Sequence, residues 1–413
     1  MTNVRKIDHC ILCASQSLID LFSLEDSPLA NEFVHERDLS LPQQEYPLQL
    51  NMCDSCGHVQ LGHEVSPERM FSNYAYVSGT AKSFVKHFYD LADQLTQRFE
   101  LQPGRFIVEI GSNDGTLLKR FIEHEMRVLG IDPATNIAAM ANDGGIPTRN
   151  DYFSHSVAKD ISAESGFADL IVANNVLAHT TQLTDITLGV KSLLAPNGTL
   201  VFEVSYLLDV VGKLLFDTIY HEHVSYHSVQ PLRSFFSRHG LEVFDVELIN
   251  THGGSIRLFV QHAGGLQPIS TSVESQIQME NQAKLRSVET FSAMENRINQ
   301  LRDRLLKLLN KIDIENNLIC GFGAPAKATT MMHQFKLDSS IIKYIVDDSV
   351  LKQGLFTPGL HIPVVSRDYF KVMPPSHVVI LAWNFAEHLV KDIKAQFDHD
   401  ISCIIPLPEL VTL

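Results

Sequence analysis

The sequence predicts an α/β chain built around an open, mostly parallel sheet, and three observations lead there. Apolar Phe106 to Ile110 reads as a buried strand, and Thr116-Leu117-Leu118-Lys119-Arg120-Phe121 opens an amphipathic helix. Between them the turn Gly111-Ser112-Asn113-Asp114-Gly115 joins a strand's carboxyl end to a helix's amino end, the crevice where open α/β sheets take ligands. A second strand, Arg127 to Ile131, ends in Asp132 about 20 residues further on, where an acid accepts hydrogen bonds from ribose hydroxyls. Gly111 lets backbone approach a bound molecule, and Asn113 or Asp114 is placed to cap the helix.

Composition bounds the rest. At 413 residues the chain exceeds one ordinary core, so two or three domains are expected. Its 45% hydrophobic and 20% charged residues describe a globular protein. The longest apolar runs, such as Val378 to Trp383, fall far short of the roughly 18 residues that span a membrane. No apolar segment follows Met1-Thr2-Asn3-Val4-Arg5-Lys6, so no secretory signal is expected. A net charge of −15 excludes a broad nucleic-acid surface and leaves room for a local basic pocket. Six cysteines, four of them in C-x-x-C pairs, point to metal binding and a cytoplasmic location rather than disulfides.

Taken in order, Cys10-Ile11-Leu12-Cys13 and Cys53-Asp54-Ser55-Cys56-Gly57-His58 come first. Each pair turns two thiolates toward one ion, and four thiolates complete a closed tetrahedral zinc site, hence a structural one. A strand-rich insert must fold between the pairs, and His58 is expected beside the site rather than on the ion. Phe71 to Thr80, rich in hydroxyls and aromatics, reads as a linker before a helix from about Ala81 to Phe99. From Gln102 to about Ala263 an alternating β/α pattern predicts strands near 106–110, 127–131, 169–174, 198–204, 241–248 and 255–262. The strand ending at Asn174 carries polar residues at its carboxyl edge, and His179 lies on the loop beyond it.

The most unusual stretch is Tyr220-His221-Glu222-His223-Val224-Ser225-Tyr226-His227. Three histidines, a glutamate and two tyrosines in eight residues exceed what a core accommodates. The i,i+2 spacing of His221 and His223 suits a metal poorly and the zincin pattern is absent, so the cluster reads as acid/base machinery. Val273 to Ile314 is helical, as one long helix or two, and bridges to a last unit. There Ile319-Cys320-Gly321-Phe322-Gly323-Ala324-Pro325-Ala326-Lys327 restarts strand-turn-helix logic, with a lysine at a helix start suited to phosphate. Tyr344 to Asp348 and Val378 to Asn384 supply further strands, and Cys320 and Cys403 are expected to be buried thiols.

The turn after Glu109 resembles the cofactor loop of class I S-adenosylmethionine methyltransferases, with Glu109, Gly111, Asn113, Asp114, Gly115, Asp132 and Asn174 as cofactor-binding candidates. The whole chain resembles the sugar C-methyltransferases of deoxysugar pathways. The resemblance is carried by Cys10-x-x-Cys13 with Cys53-x-x-Cys56-Gly57-His58, by Glu109 to Gly115, by Tyr220-His221-Glu222-His223 and by Gly321 to Lys327. It implies a zinc-binding module over 1–80, a Rossmann-like methyltransferase domain over 81–265, and a helical connector with a Rossmann-like domain over 266–413. It also implies methylation beside the 4-keto group of a dTDP- or GDP-linked 6-deoxy sugar, usually at C3. By the same resemblance His223 is the base and Glu222 its orienting partner or alternative, while Tyr220 and His179 hold the keto or enolate oxygen. Tyr76 reaches the same pocket, which overrides the linker reading. Ser78, Thr80, Lys82 and Lys327 are then candidates for the nucleotide. The expected cofactors are S-adenosylmethionine and a structural zinc; no nucleic-acid or membrane partner is expected, and monomer and homodimer both remain open. The rival readings are methylation of a sugar oxygen or nitrogen, and a zinc-ribbon binding protein with a vestigial methyltransferase domain.

Overall fold

The computed structural model describes residues 4–71, 77–80, 82–314, 317–397 and 401–413. Tyr76 lies outside them, and the side chains of Thr80 and Lys82 are likewise not described.

A seven-stranded sheet forms the centre, in the spatial order Leu241–Ile249, Ser255–His262, Leu194–Ser205, Ala168–Asn174, Phe106–Ile110, Arg127–Ile131 and Thr148–Arg149. The last five are parallel, whereas Ser255–His262 runs antiparallel to both neighbours. Strand order reverses at Phe106–Ile110, which has Arg127–Ile131 on one side and Ala168–Asn174 on the other. At such a switch point the connections leave toward opposite faces and a crevice opens at the carboxyl edge. All five residues of Phe106–Ile110 are buried, as strands covered on both faces must be. The strand expected near 198–204 begins earlier, at Leu194, because Leu194 already pairs with Ala168 before the ladder shifts register toward Thr199.

The N-terminal insert between the cysteine pairs is strand-rich as expected. Leu18–Ser27, Tyr46–Cys53 and Val59–Leu61 pair antiparallel. The fourth strand of that sheet is Ser225–Tyr226, contributed by the segment just after His223. The catalytic candidates are thus tied into the sheet that carries Cys53.

The helical connector is two helices, Thr271–Gln282 and Val288–Ile314, broken where Lys284 takes a left-handed φ of 53°. A second sheet follows in the order Val364–Val365, Ile345–Val346, Ile319–Phe322, His377–Ile380, Ser402–Ile405 and Val411–Thr412, parallel except for its last strand. Cys320 and Cys403 are fully buried on it. Leu355–Phe356 pairs with Val34–His35, joining the two ends of the chain. One hydrophobic cluster runs through all three parts, from Leu48 and Leu50 through Phe216 to Met331, Phe335 and Trp383. No helix among the described residues is long and apolar enough to cross a membrane.

Candidate active site

A cavity of about 1490 Å³ opens at the carboxyl edge of the central sheet and extends to the C-terminal sheet. Its floor is the predicted turn. Gly111 has a φ of +67°, and a Cβ there would stand 2.4 Å from Val176 Cγ2, so only glycine fits. Asn113 also takes a left-handed φ, 49°, which asparagine tolerates. Asp132 Oδ2 accepts from the Asn113 N–H at 2.9 Å and its Oδ1 from the Ala134 N–H at 2.9 Å, so this carboxylate braces the turn while lining the cavity.

Gly115 stands at the cap position of the following helix in a left-handed conformation, and Asp114, one residue earlier, does the capping: its Oδ1 accepts from the N–H of Thr116, the first helical residue, at 3.3 Å and from the Thr116 hydroxyl at 2.7 Å. Asn113 Oδ1 accepts from the Ser78 N–H at 2.8 Å, and Asp114 Oδ2 from the Gly79 N–H at 3.0 Å. Both side chains thus fasten the 78–80 turn over the site. Asp114 and Gly115 shape the turn without lining the cavity, and Ser78 lies on its cofactor half.

Glu109, Ser112 and Asn174 line the same half. Glu109 Oε2, Ser112 Oγ and both amide atoms of Asn174 are buried with no hydrogen-bond partner. Burial, with the negative charges of Asp114 and Asp132 nearby, holds the Glu109 carboxyl well above the usual carboxylate range. Polar atoms left like this cost about 1–3 kcal/mol each unless a ligand satisfies them. S-adenosylmethionine fits: it brings an ammonium for Glu109, ribose hydroxyls for Asp132, and further polar groups for Ser112 and Asn174. Ser112 lies inside the sequence motif, and its orphaned hydroxyl adds it to the residues of this half.

Across the cavity stand Tyr220, Glu222, His223 and His179. His223 Nδ1 lies 2.9 Å from the Thr218 carbonyl, so that nitrogen carries the hydrogen and donates. Nε2 is then the lone-pair nitrogen, and the Tyr220 hydroxyl donates to it at 3.0 Å. The His179 ring meets His223 edge-on, centroids 4.8 Å apart, and burial lowers His179 to about 4, so it is neutral at pH 7. Glu222 accepts from Asn31 Nδ2 at 2.7 Å, a contact from the N-terminal insert that no sequence pattern announces. His221 points the other way: it is buried, with Nε2 3.1 Å from the Tyr46 carbonyl.

Lys327, second residue of the helix Ala326–Phe335, lines the far wall, 8% exposed. Lys352 joins it there, its Nζ donating to the Ala324 carbonyl at 2.7 Å.

The four cysteine sulfurs lie within 4.8 Å of one another, with Cys10–Cys56 at 3.6 Å and Cys13–Cys53 at 3.5 Å. Sulfurs about 2.3 Å from a tetrahedral zinc stand roughly 3.8 Å apart, so one zinc ion fits and leaves no open position. His58 lies outside this set, fully buried, its Nε2 3.3 Å from Ser225 Oγ.

Three family models cover the chain in the same order: "Putative zinc binding domain" over 10–71, "Methyltransferase domain" over 84–246 and "C-methyltransferase C-terminal domain" over 250–408. C-methyltransferase NovU of Streptomyces niveus is 32% identical over 98% of this chain and 97% of its own length. The chain belongs to the C-methyltransferase family. A ubiquinone biosynthesis O-methyltransferase of Burkholderia thailandensis is 24% identical over 36% of this C-methyltransferase and 70% of its own length. Among solved structures, the PH0226 protein of Pyrococcus horikoshii OT3 has a TM-score of 0.38 at 11% identity, over 47% of this chain and 97% of that one. Magnesium protoporphyrin IX methyltransferase of Synechocystis with bound SAH has a TM-score of 0.35 at 14% identity, over 43% and 83%. The enzyme is a SAM-dependent C-methyltransferase with a zinc-binding N-terminal part.

Proposed function

We propose that the enzyme methylates a nucleotide-linked 4-keto-6-deoxy sugar at the carbon beside its ketone, usually C3. The observation that carries this reading is a candidate base on the cavity wall: His223 donates through Nδ1 to the Thr218 carbonyl, which leaves Nε2, hydrogen-bonded to the Tyr220 hydroxyl, as the nitrogen that accepts a proton. A carbon nucleophile needs such a group. A C–H beside a ketone is acidic because its conjugate base is an enolate, and His223 takes that proton. Tyr220 and His179 stand beside the base, where their hydrogen-bonding groups meet the ketone oxygen as it becomes an enolate oxygen. S-adenosylmethionine, when bound, supplies the electrophilic methyl group. The residues from Glu109 to Asn113 would hold that cofactor, whose chemistry is to give its methyl to a carbon nucleophile, a C–C bond forming as the S–CH3 bond breaks and S-adenosylhomocysteine leaves. Orientation of the two reactants supplies much of the rate.

Two further features support the substrate class. The cavity is far larger than a cofactor site alone, since pockets usually measure about 300–1,000 Å³. Its distal wall carries the cations Lys327 and Lys352, suited to a pyrophosphate. Within this reading Ser78 borders the cofactor side, and the chain divides functionally at about 80 and 265.

The test is exchange of the sugar C3 proton in deuterated water with cofactor withheld. Exchange is expected for carbon methylation. Methylated product without exchange, the methyl on oxygen or nitrogen, would replace this reading by the rival one.

A further inference from the structure

Between the catalytic segment and the C-terminal sheet lies a buried charged group that the reaction above does not use. Asp217 sits on the 3-10 turn Phe216–Thr218, wholly inaccessible to solvent. Its Oδ2 accepts from the indole N–H of Trp383, the protein's single tryptophan, at 2.6 Å. Its Oδ1 is buried with no hydrogen-bond partner. An uncompensated buried carboxylate costs several kcal/mol, which protonation or a nearby cation relieves. The nearby cation is Lys327, which meets the same tryptophan: its ammonium stands 5.8 Å from the Trp383 ring centroid and lines the cavity. The coupling is mutual. Burial pushes the Asp217 carboxyl up and Lys327 opposes this most strongly; burial draws the Lys327 ammonium down and Asp217 opposes it.

The same elements are fastened a second time. Thr330, on the helix that carries Lys327, donates its hydroxyl to the Ile219 carbonyl at 3.0 Å. Thr218, next to Asp217, provides the carbonyl that orients His223. Asp217 therefore stands where the base and the distal cation are both fixed.

We propose that Asp217, braced by the indole N–H of Trp383, is a positioning residue that keeps the Lys327 ammonium facing the cavity, where it receives the phosphoryl groups of the substrate. This rests on the nucleotide-linked substrate of the preceding section. The chemistry is charge attraction between groups that share the Trp383 side chain. A buried lysine is a useful phosphate ligand only while charged, and a fixed carboxylate behind it maintains that charge without entering the cavity.

The experiment titrates inorganic pyrophosphate into the full-length, zinc-loaded protein by calorimetry between pH 7 and 10. It compares wild type with Asp217→Asn, Trp383→Phe and Lys327→Met. The other ionisable groups that line the cavity, Glu222, His223, Asp348 and Lys352 among them, are the same in every variant. Affinity for S-adenosylhomocysteine and zinc content serve as folding controls. Lys327→Met is expected to weaken pyrophosphate at least tenfold. Asp217→Asn should weaken it several-fold at pH 7 and move the alkaline loss of binding to lower pH, which a merely structural role would not do. Trp383→Phe, which keeps an aromatic ring and removes the N–H, should shift the profile the same way and carries the test if Asp217→Asn does not fold. An unchanged profile in Asp217→Asn or Trp383→Phe, with Lys327→Met impaired, overturns the positioning role and leaves the nucleotide reading standing. Unchanged binding in Lys327→Met overturns both.

Discussion

Replacing His223 by alanine isolates the proposed proton transfer. The imidazole is 9% exposed, so its removal opens a little more of an existing cavity rather than a void in packed core. The structural loss is the hydrogen bond to the Thr218 carbonyl, about 1 kcal/mol, too little to unfold the protein. The chemical loss is larger. A positioned general base contributes about 10²- to 10⁴-fold, or about 3–5 kcal/mol of barrier. Tyr220, whose hydroxyl donates to Nε2, has no proton-accepting nitrogen to offer in exchange. Methyl transfer to a 4-keto-6-deoxy nucleotide sugar, followed by mass, should therefore fall at least a hundredfold, and C3 proton exchange should fall with it. Affinity for S-adenosylhomocysteine should stay within about twofold, because the cofactor side of the cavity is untouched. Turnover above a tenth of wild type, or exchange that persists while transfer is lost, would refute the assignment of His223 as base.

Three other outcomes are expected. Asp132→Ala removes a carboxylate that both braces Asn113 and Ala134 and faces the ribose position, so calorimetric affinity for S-adenosylhomocysteine should drop at least tenfold; a smaller loss places the ribose elsewhere. Cys13→Ser, or extended chelation, should lower the melting temperature by several degrees and release zinc, and a zinc-free protein of unchanged stability would deny the ion its structural role. Acid should destabilise the fold through His221, which burial lowers to about 4 and which is only 3% exposed. The unfolded chain binds that proton near pH 6.5 and the folded chain only near 4, so stability falls as pH drops through this window, by about 1.4 kcal/mol per pH unit. His221→Gln should flatten the slope of chemical-denaturation stability between pH 4.5 and 6.5 by one proton; an unaltered slope contradicts the mechanism.

What was legible in the sequence was local. The strands Phe106–Ile110 and Ser255–His262 fall where apolar runs and turn residues put them, because burial on both faces writes itself into consecutive residues; Arg127–Ile131, buried only at its carboxyl end, is marked by the turn and acid that follow it. Charged helical periodicity persists on both sides of Lys284, so sequence alone does not decide between one helix and two. The cysteine cluster was legible for a different reason: thiolate chemistry restricts the spacing. Contacts across the chain were not. Asn31 reaching Glu222, and Trp383 reaching Asp217, join residues whose separation leaves no pattern. The same cause hides a second role of Asn113 and Asp114, since the partners that claim them, Ser78 and Gly79, come from outside the motif, whereas the local contact of Asp114 to Thr116 follows from it.

The pairing of Ser225–Tyr226 with Val59–Leu61 has a consequence for engineering and descent alike. A front end transplanted from a sister enzyme would arrive with a sheet edge shaped for a different active-site segment. Working hybrids must exchange the stretch around 217–227 together with the first eighty residues, and natural recombination faces the same rule. The cysteine-bearing sheet and the segment of the candidate base, far apart along the chain, are built as one part.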